Sequence, residues 1–353
     1  MQRKMAPEFQ AVYFLFLVIT PRNHQKLLIF LDRMVSWSSM VKDPGENNTF
    51  RILSLDGGGA KGFYTLGVLA EIEAASGKRL HQVFDLIYGT STGSIIGTLL
   101  ATGKTVEEIH VLYKKHVPTV MKQRSRRAKT AALTKLAQDV FQDSGFEALK
   151  TGIGIVTTNW QTERPMIFKA NVAQAHGREA SFVPLFGCKL SDAVQASCSA
   201  YPFFDLKTVT TSAGHTIVLG DGGFCANNPA LYALADATEA FKIARKNIAL
   251  LSIGCGVYPT PIKTVVDMGY WFGMLPSVQL LQKVLEVNTQ SLEQLGNILF
   301  SDLPMVRIND RFSKPELATD LLEHDLIKLN ILRQQGSISY AGREKDIRAL
   351  LKI

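Results

Sequence analysis

A short apolar segment, Val83-Phe84-Asp85-Leu86-Ile87-Tyr88, runs into Gly89-Thr90-Ser91-Thr92-Gly93 and leaves through Ile95-Ile96-Gly97-Thr98-Leu99-Leu100-Ala101. The first stretch reads as a strand and the last as the start of a buried helix. A serine between two glycines at such a junction is the nucleophile-elbow pattern. Gly89 and Gly93 let the backbone turn sharply, so the Ser91 hydroxyl stands exposed at the sheet's carboxyl edge, beside a helix N-terminus. Taken alone, a structural serine in a tight turn explains the pattern equally well.

Two further glycine turns follow the same grammar. Asp56-Gly57-Gly58-Gly59-Ala60-Lys61-Gly62 follows strand-like Phe50–Leu55 and precedes helix-like Phe63–Ala75. Successive glycines there leave backbone N–H groups bare and pointing into one concavity, where an anion can sit. If the concavity faces Ser91, that anion is the oxyanion of a tetrahedral intermediate, and each donor lowers the barrier by roughly 3–4 kcal/mol. Asp221-Gly222-Gly223, after strand-like Thr216–Gly220, sets a carboxylate at a third strand end. One nucleophile, one base and one oxyanion turn make a coherent site.

Each turn also has a plainer explanation. Gly57-x-Gly59-x-x-Gly62 fits the dinucleotide-binding fingerprint, but the acid expected at the end of the next strand is replaced by the run into Ser91. No Gly-Lys-Ser/Thr closes the glycine run, which excludes a Walker loop. Asp221-Gly222 by itself is a hairpin turn. A Ser–Asp–His triad needs a histidine after Asp221, and the sequence offers one, His324, between Glu323 and Asp325. Its charged flanks and apolar neighbours predict a solvated position on an amphipathic surface helix.

The ordered set Asp56–Gly62, Gly89–Gly93 and Asp221–Gly223 resembles the patatin-like phospholipases, a family of lipid acyl hydrolases. The resemblance covers roughly residues 50–260 and includes Ala196-Ser197-Cys198-Ser199-Ala200-Tyr201-Pro202-Phe203-Phe204. It implies a three-layer α/β/α fold with a central, mostly parallel sheet. It also implies a Ser–Asp dyad: Ser91 acylated, Asp221 its base, and the turn of Gly57, Gly58 and Gly59 holding the oxyanion, with no metal and no organic cofactor. The family usually carries Arg where this chain has Lys61, which keeps a cation near the oxyanion turn but loses the planar, bidentate guanidinium. The run Asp56–Gly67 also resembles bacterial patatins that act as cyclic-dinucleotide-activated effectors in antiphage defence. That resemblance implies a cyclic dinucleotide activator and membrane phospholipids as substrate. The location it implies is the cytoplasm, with action at the inner face of the cell membrane; a homo-oligomer is compatible with it. The contrasting reading is a nucleotide- or phosphate-binding protein that uses the Gly57–Gly62 loop without catalysis.

Charge adds one feature. The formal net charge is +8, and Lys114, Lys115, Lys122, Arg124, Arg126, Arg127, Lys129 and Lys135 follow one another with no acid between them. Such a run is either a solvated helix and loop or a surface for an anionic partner, a bilayer or the phosphates of a soluble ligand. Few aromatics interleave the charges, so DNA and RNA are not expected partners. Cys188, Cys198, Cys225 and Cys255 show neither metal spacing nor a disulfide framework, as in a reducing compartment.

The expected organisation is a leader (residues 1–45), a catalytic domain (46–260) and a helical C-terminal cap or regulatory region (261–353). Within the leader, apolar Ala11–Thr20 is too short to span a bilayer and lacks a small-x-small cleavage site. It is a membrane-associating leader, a weak signal peptide, or sequence upstream of a true start at Met34 or Met40; the last is preferred. In the C-terminal part, Ser277–Leu299 has helical spacing, as core or as a lid over Ser91. Pro304–Ile308 reads as a short strand, and Pro315–Arg333 and Tyr340–Ile353 read as helices.

Overall fold

Phe50-Arg51-Ile52-Leu53-Ser54-Leu55 form strand β1, and all but Arg51 are buried. A strand covered by helices on both faces reads as a near-continuous apolar run rather than an alternation, and β1 (Phe50–Leu55), β2 (Leu86–Thr90) and β7 (Ile248–Ile253) all have that character. The computed structural model of the chain describes residues 49–170, 174, 188–210, 214, 216–258 and 276–353, all within one unit, Glu46–Ile353. The expected leader and the aromatic run Tyr270-Trp271-Phe272 lie outside the described residues.

The remaining strands are β3 (Gly152–Asn159), β4 (Arg164–Lys169), β5 (Lys207–Thr210), β6 (Thr216–Asp221) and β8 (Met305–Ile308). They pair in the order β5-β6-β3-β2-β1-β7-β8, with β4 on β3. The central pairings β1–β2, β1–β7, β2–β3 and β7–β8 are parallel, while β3–β4, β3–β6 and β5–β6 are antiparallel. The helices are α1 (Gly62–Ser76), α2 (Thr92–Ala101), α3 (Val106–Met121), α4 (Arg126–Phe141), α5 (Leu190–Ser197), α6 (Gly223–Ala226), α7 (Ala230–Ala235), α8 (Pro276–Leu299), α9 (Leu326–Ala341) and α10 (Glu344–Leu351). One face of the sheet presents Ile52, Leu86, Tyr88 and Leu250 to Ala226, Ala233 and Leu234 of α6 and α7. On the other face, α2 lies so close that a Cβ on Gly97 would sit 3.0 Å from Ile87 Cγ2. This is the expected three-layer α/β/α arrangement.

The register decides where the site forms. Thr90, the last residue of β2, pairs with Val156. β4 runs along Gly154–Asn159 on one edge of β3. β6 enters antiparallel and pairs Asp221 with Thr157, so it must use the edge that β2 has just left. The ends of β2 and β6 therefore meet head to head, with Ser91 following Thr90 and Asp221 opposite the next residue of β3.

The C-terminal segment departs from expectation. Pro304–Ile308 does yield β8, which extends the sheet. The helix expected over Pro315–Arg333 is instead a single 3-10 turn, Pro315–Leu317, followed by irregular chain until α9 begins at Leu326. Short acidic side chains take the backbone amides there: Asp320 Oδ1 accepts from Leu322 N–H and Asp325 Oδ1 from Ile327 N–H, each at 2.8 Å. Local bonds of this kind compete with helix propagation and favour a turn and an N-cap. The α9 helix then crosses α1 with the backbones in contact: a Cβ on Gly67 would lie 2.0 Å from Arg333 O, and one on Gly336 2.2 Å from Tyr64 O.

Candidate active site

Ser91 sits between β2 and α2 with φ 51° and ψ −120°, a conformation that L-residues hold only under constraint from their surroundings. The constraint is visible on both sides. A Cβ on Gly93 would fall 2.2 Å from Leu55 O, and one on Gly89 2.3 Å from Gly93 O, so neither glycine can carry a side chain while the elbow closes. Ser91 N–H donates to Ser197 Oγ at 2.9 Å, and the Ser197 hydroxyl donates to Val156 O at 2.6 Å. Ser91 O accepts from Ser94 N–H at 2.8 Å.

From this elbow the Ser91 hydroxyl donates to Asp221 Oδ2 at 2.7 Å. Asp221 is 3% exposed, and its other oxygen, Oδ1, accepts from Gly223 N–H at 2.7 Å. Burial pushes its pKa up to about 6, against the lowering effect of the Gly223 and Ser91 hydrogen bonds. A carboxylate poised close to neutrality, one hydrogen bond from a hydroxyl, is a competent general base. Among the described residues no histidine hydrogen-bonds to either group. His324 lies on the exposed turn before α9, its Nδ1 3.4 Å from Leu322 O, and not on the surface helix its neighbours predict. Replacing His324 with alanine is expected to change turnover by less than twofold, checked by fatty-acid release at saturating substrate.

The glycine turn divides its amides. Gly57 N–H donates to Asn227 O at 3.0 Å, and Ala60 N–H to Leu321 O at 3.0 Å. Gly58 and Gly59 N–H have no partner among the described residues, and both residues line the cleft that holds Ser91 and Asp221. The oxyanion role expected of Gly57, Gly58 and Gly59 is therefore open only to the last two amides. Lys61 is 7% exposed and its Nζ donates to Gly256 O at 3.1 Å. It lines a neighbouring polar recess with Asp56, Asn227 and Cys255 rather than the cleft.

Two contributors lie outside the motifs singled out in the sequence. Arg307, on β8, clasps Asp56 with both terminal nitrogens, at 2.9 Å to Oδ1 and 2.6 Å to Oδ2, and reaches Glu293 at 3.1 Å. Even so, burial holds Asp56 at a pKa of about 6. Asn227 ties three segments together through Gly57 O at 3.3 Å and Thr289 Oγ1 at 2.8 Å. The Asn227-Asn228-Pro229 triplet following Asp221-Gly222-Gly223 was its available cue.

Away from the polar end the cleft is apolar. Its walls include Ile95, Val117, Leu133, Leu136, Phe203 and Leu285. A half-buried nucleophile on a buried base, at one end of an apolar slot, can transfer an acyl group from an ester with a long hydrocarbon chain.

Comparison with known proteins agrees. The family model described as patatin-like phospholipase matches residues 53–234. A "cUMP-AMP-activated phospholipase" of Escherichia coli is 57% identical over 317 residues, 90% of this chain and 98% of that protein. A "cGAMP-activated phospholipase" of Vibrio cholerae serotype O1 is 31% identical over 242 residues, 59% of this chain and 64% of that protein.

Proposed function

Since the chain belongs to the patatin-like phospholipase family, we propose that it hydrolyses fatty-acyl esters of membrane glycerophospholipids through a Ser91–Asp221 dyad and is switched on by a cyclic dinucleotide. The observation that carries this reading is the 2.7 Å contact between Ser91 Oγ and Asp221 Oδ2 at the polar end of an apolar cleft. In the acylation step Ser91 Oγ attacks the ester carbonyl while its proton passes to Asp221 Oδ2. The developing oxyanion lies against the amides of Gly58 and Gly59, and the lysolipid leaves with the proton. Water then attacks the acyl-enzyme with Asp221 again as base, and the fatty acid is released. The acyl chain lies along the Val117–Leu133–Phe203 walls throughout.

Activation by a cyclic dinucleotide rests on the relative from E. coli, whose name states it and which this chain matches over nearly its whole length. Degradation of the cell's own membrane on such a signal is the antiphage role that the sequence resemblance implies. The test is fatty-acid release from mixed phospholipid vesicles with and without a panel of cyclic dinucleotides, cyclic UMP–AMP among them. Release that requires a nucleotide supports the reading. Release of equal rate without any nucleotide removes the switch, and no release under any condition removes the phospholipase.

The basic run fits a lipid surface. It lies on α3, α4 and their connecting turn, whose inner sides supply Val117, Val120, Leu133 and Leu136 to the cleft. Lys114, Lys115, Lys122, Arg124 and Arg127 are exposed and, among the described residues, pair with no carboxylate. Arg126 instead bonds Asp205 at 2.7 Å and lies over the Tyr201 ring, while Lys129 turns inward to Met121 O at 2.5 Å. Each cation near an anionic bilayer contributes about 1 kcal/mol. Reversing Lys122, Arg124 and Arg127 to glutamate is expected to weaken binding to phosphatidylglycerol vesicles by at least tenfold. Hydrolysis of a soluble short-chain ester should be unchanged. Vesicle cosedimentation at two salt concentrations checks both the loss and its screening.

A further inference from the structure

A second large cavity opens further along α8 from the catalytic cleft. It measures about 350 Å³, against about 70 Å³ for the cleft, and it falls in the size range of ligand sites rather than of packing defects. Leu231, Ser252, Glu293, Gly296, Phe300 and Arg307 mark its walls, contributed by α7, β7, α8, the turn after α8, and β8. No step of the hydrolysis uses it.

Its chemistry is mixed in a particular way. Arg307 brings a guanidinium, the group best suited to a phosphate. Phe300 brings an aromatic ring, over which lies the guanidinium of Arg245, 4.7 Å from the ring centroid and paired with Asp302 at 3.2 Å. Asn297 and Ser301 add an amide and a hydroxyl with no side-chain hydrogen bond among the described residues, groups that can read the edge of a base. Leu231, Leu234 and Leu303 supply apolar area. A cation beside an aromatic ring, with amide and hydroxyl donors and apolar walls, is the set that a nucleotide phosphodiester and its base require.

The cavity is also wired to the catalytic machinery by two physical routes. The first is Arg307 itself, whose fork holds Asp56, the residue that opens the glycine turn. The second is α8, a 24-residue helix that walls both sites. Leu281 and Leu285 face the catalytic cleft, while Glu293 and Gly296 face this cavity, about 16 Å further along at 1.5 Å per residue. One continuous helix thus walls both sites, so a ligand seated against its second half bears on the same element that lines the cleft.

Resting on the reading above that a cyclic dinucleotide switches the enzyme, we propose that this cavity between α7, α8 and β8 is where the cyclic dinucleotide binds. A phosphate competes with Asp56 and Glu293 for the Arg307 guanidinium. Drawing that guanidinium toward the cavity loosens its clasp on Asp56 and frees the glycine turn to set Gly58 and Gly59 against the oxyanion. Seating of the base against Phe300 shifts α8 and widens the cleft at Leu281 and Leu285. Ligand affinity and access to Ser91 are then two readings of one equilibrium, coupled reciprocally.

The test titrates wild type and Gly296→Trp with cyclic UMP–AMP by calorimetry and follows fatty-acid release from vesicles in parallel. A Cβ on Gly296 meets only Leu231 Cδ2, at 3.5 Å, so the indole fills the cavity. Binding at least a hundredfold weaker and loss of nucleotide-dependent release are expected. Hydrogen exchange on wild type gives an arm that needs no variant: the nucleotide should protect residues 292–307, α8 and β8 included. Unchanged affinity in a folded Gly296→Trp, or protection confined to other segments, overturns the cavity assignment while leaving a nucleotide-switched phospholipase intact. A wild type that responds to no cyclic dinucleotide in the panel overturns the switch itself, and the cavity assignment with it.

Discussion

Replacing Ser91 with alanine is expected to lower fatty-acid release roughly a millionfold, to the background of the assay, the scale on which hydrolases lose turnover when the nucleophile is deleted. The fold should be unaffected, because the Ser91 hydroxyl donates to Asp221, while the hydrogen bonds that shape the elbow run through the Ser91 backbone. Alanine keeps the Cβ that the strained φ of 51° already accommodates. Unchanged thermal unfolding with lost release separates a chemical role from a structural one. A variant that unfolds early would assign Ser91 to the architecture instead.

Asp221→Asn is expected to cost about 10²–10⁴-fold in turnover, the scale of a lost general base, and to change the pH profile. With its pKa pushed up to about 6 by burial, Asp221 is ionised and competent above pH 6. Wild-type kcat/KM should therefore fall about tenfold per pH unit below that value. Asp56 has a similar pKa, so the variant is what distinguishes the two: loss of the acid limb in Asp221→Asn assigns it to Asp221, and its survival assigns it to Asp56. The same shift has a consequence for stability. The folded-state pKa lies above the unfolded value of 3.8, so the native state binds the proton more tightly, and wild type loses stability as pH rises from about 4 to 6. Above pH 6, Asp221→Asn should be the more stable protein by on the order of 3 kcal/mol. The advantage should disappear below pH 4, where wild type carries a neutral carboxyl. Denaturant melts at pH 4 and pH 8 measure the difference.

The parts of this site legible in the sequence are those whose constraint is local. Gly89 and Gly93 are required by contacts within a few residues of Ser91 and by one neighbouring strand, and the sequence carries them as a recognisable pentapeptide. Asp221 is legible for the same reason, since Gly222 and Gly223 mark the turn that follows it. What the sequence does not carry is the register. Nothing in Thr216–Asp221 says that β6 runs antiparallel and enters β3 where β2 stops, yet that is what brings the two ends together. The Arg307–Asp56 clasp joins residues 251 positions apart, and Arg307 looks like any polar residue on a short strand. The oxyanion turn is an intermediate case. Its glycines mark a bare backbone, but which amides stay bare depends on Asn227 and Leu321, which reach Gly57 and Ala60 from distant segments. Lys61 shows the same limit, as its charge is visible in the sequence while its direction, toward Gly256 O, is a property of the packed loop.

The most direct test of the dyad is covalent labelling with a fluorophosphonate, in the presence of cyclic UMP–AMP, followed by peptide mapping. A serine reacts with this probe only when a base activates it and an oxyanion site receives the phosphonyl oxygen. The geometry predicts one adduct, on Ser91, in wild type and its near-absence in Asp221→Asn. An adduct on another serine, or equal labelling of Ser91 with and without the Asp221 carboxylate, would contradict the Ser91–Asp221 mechanism.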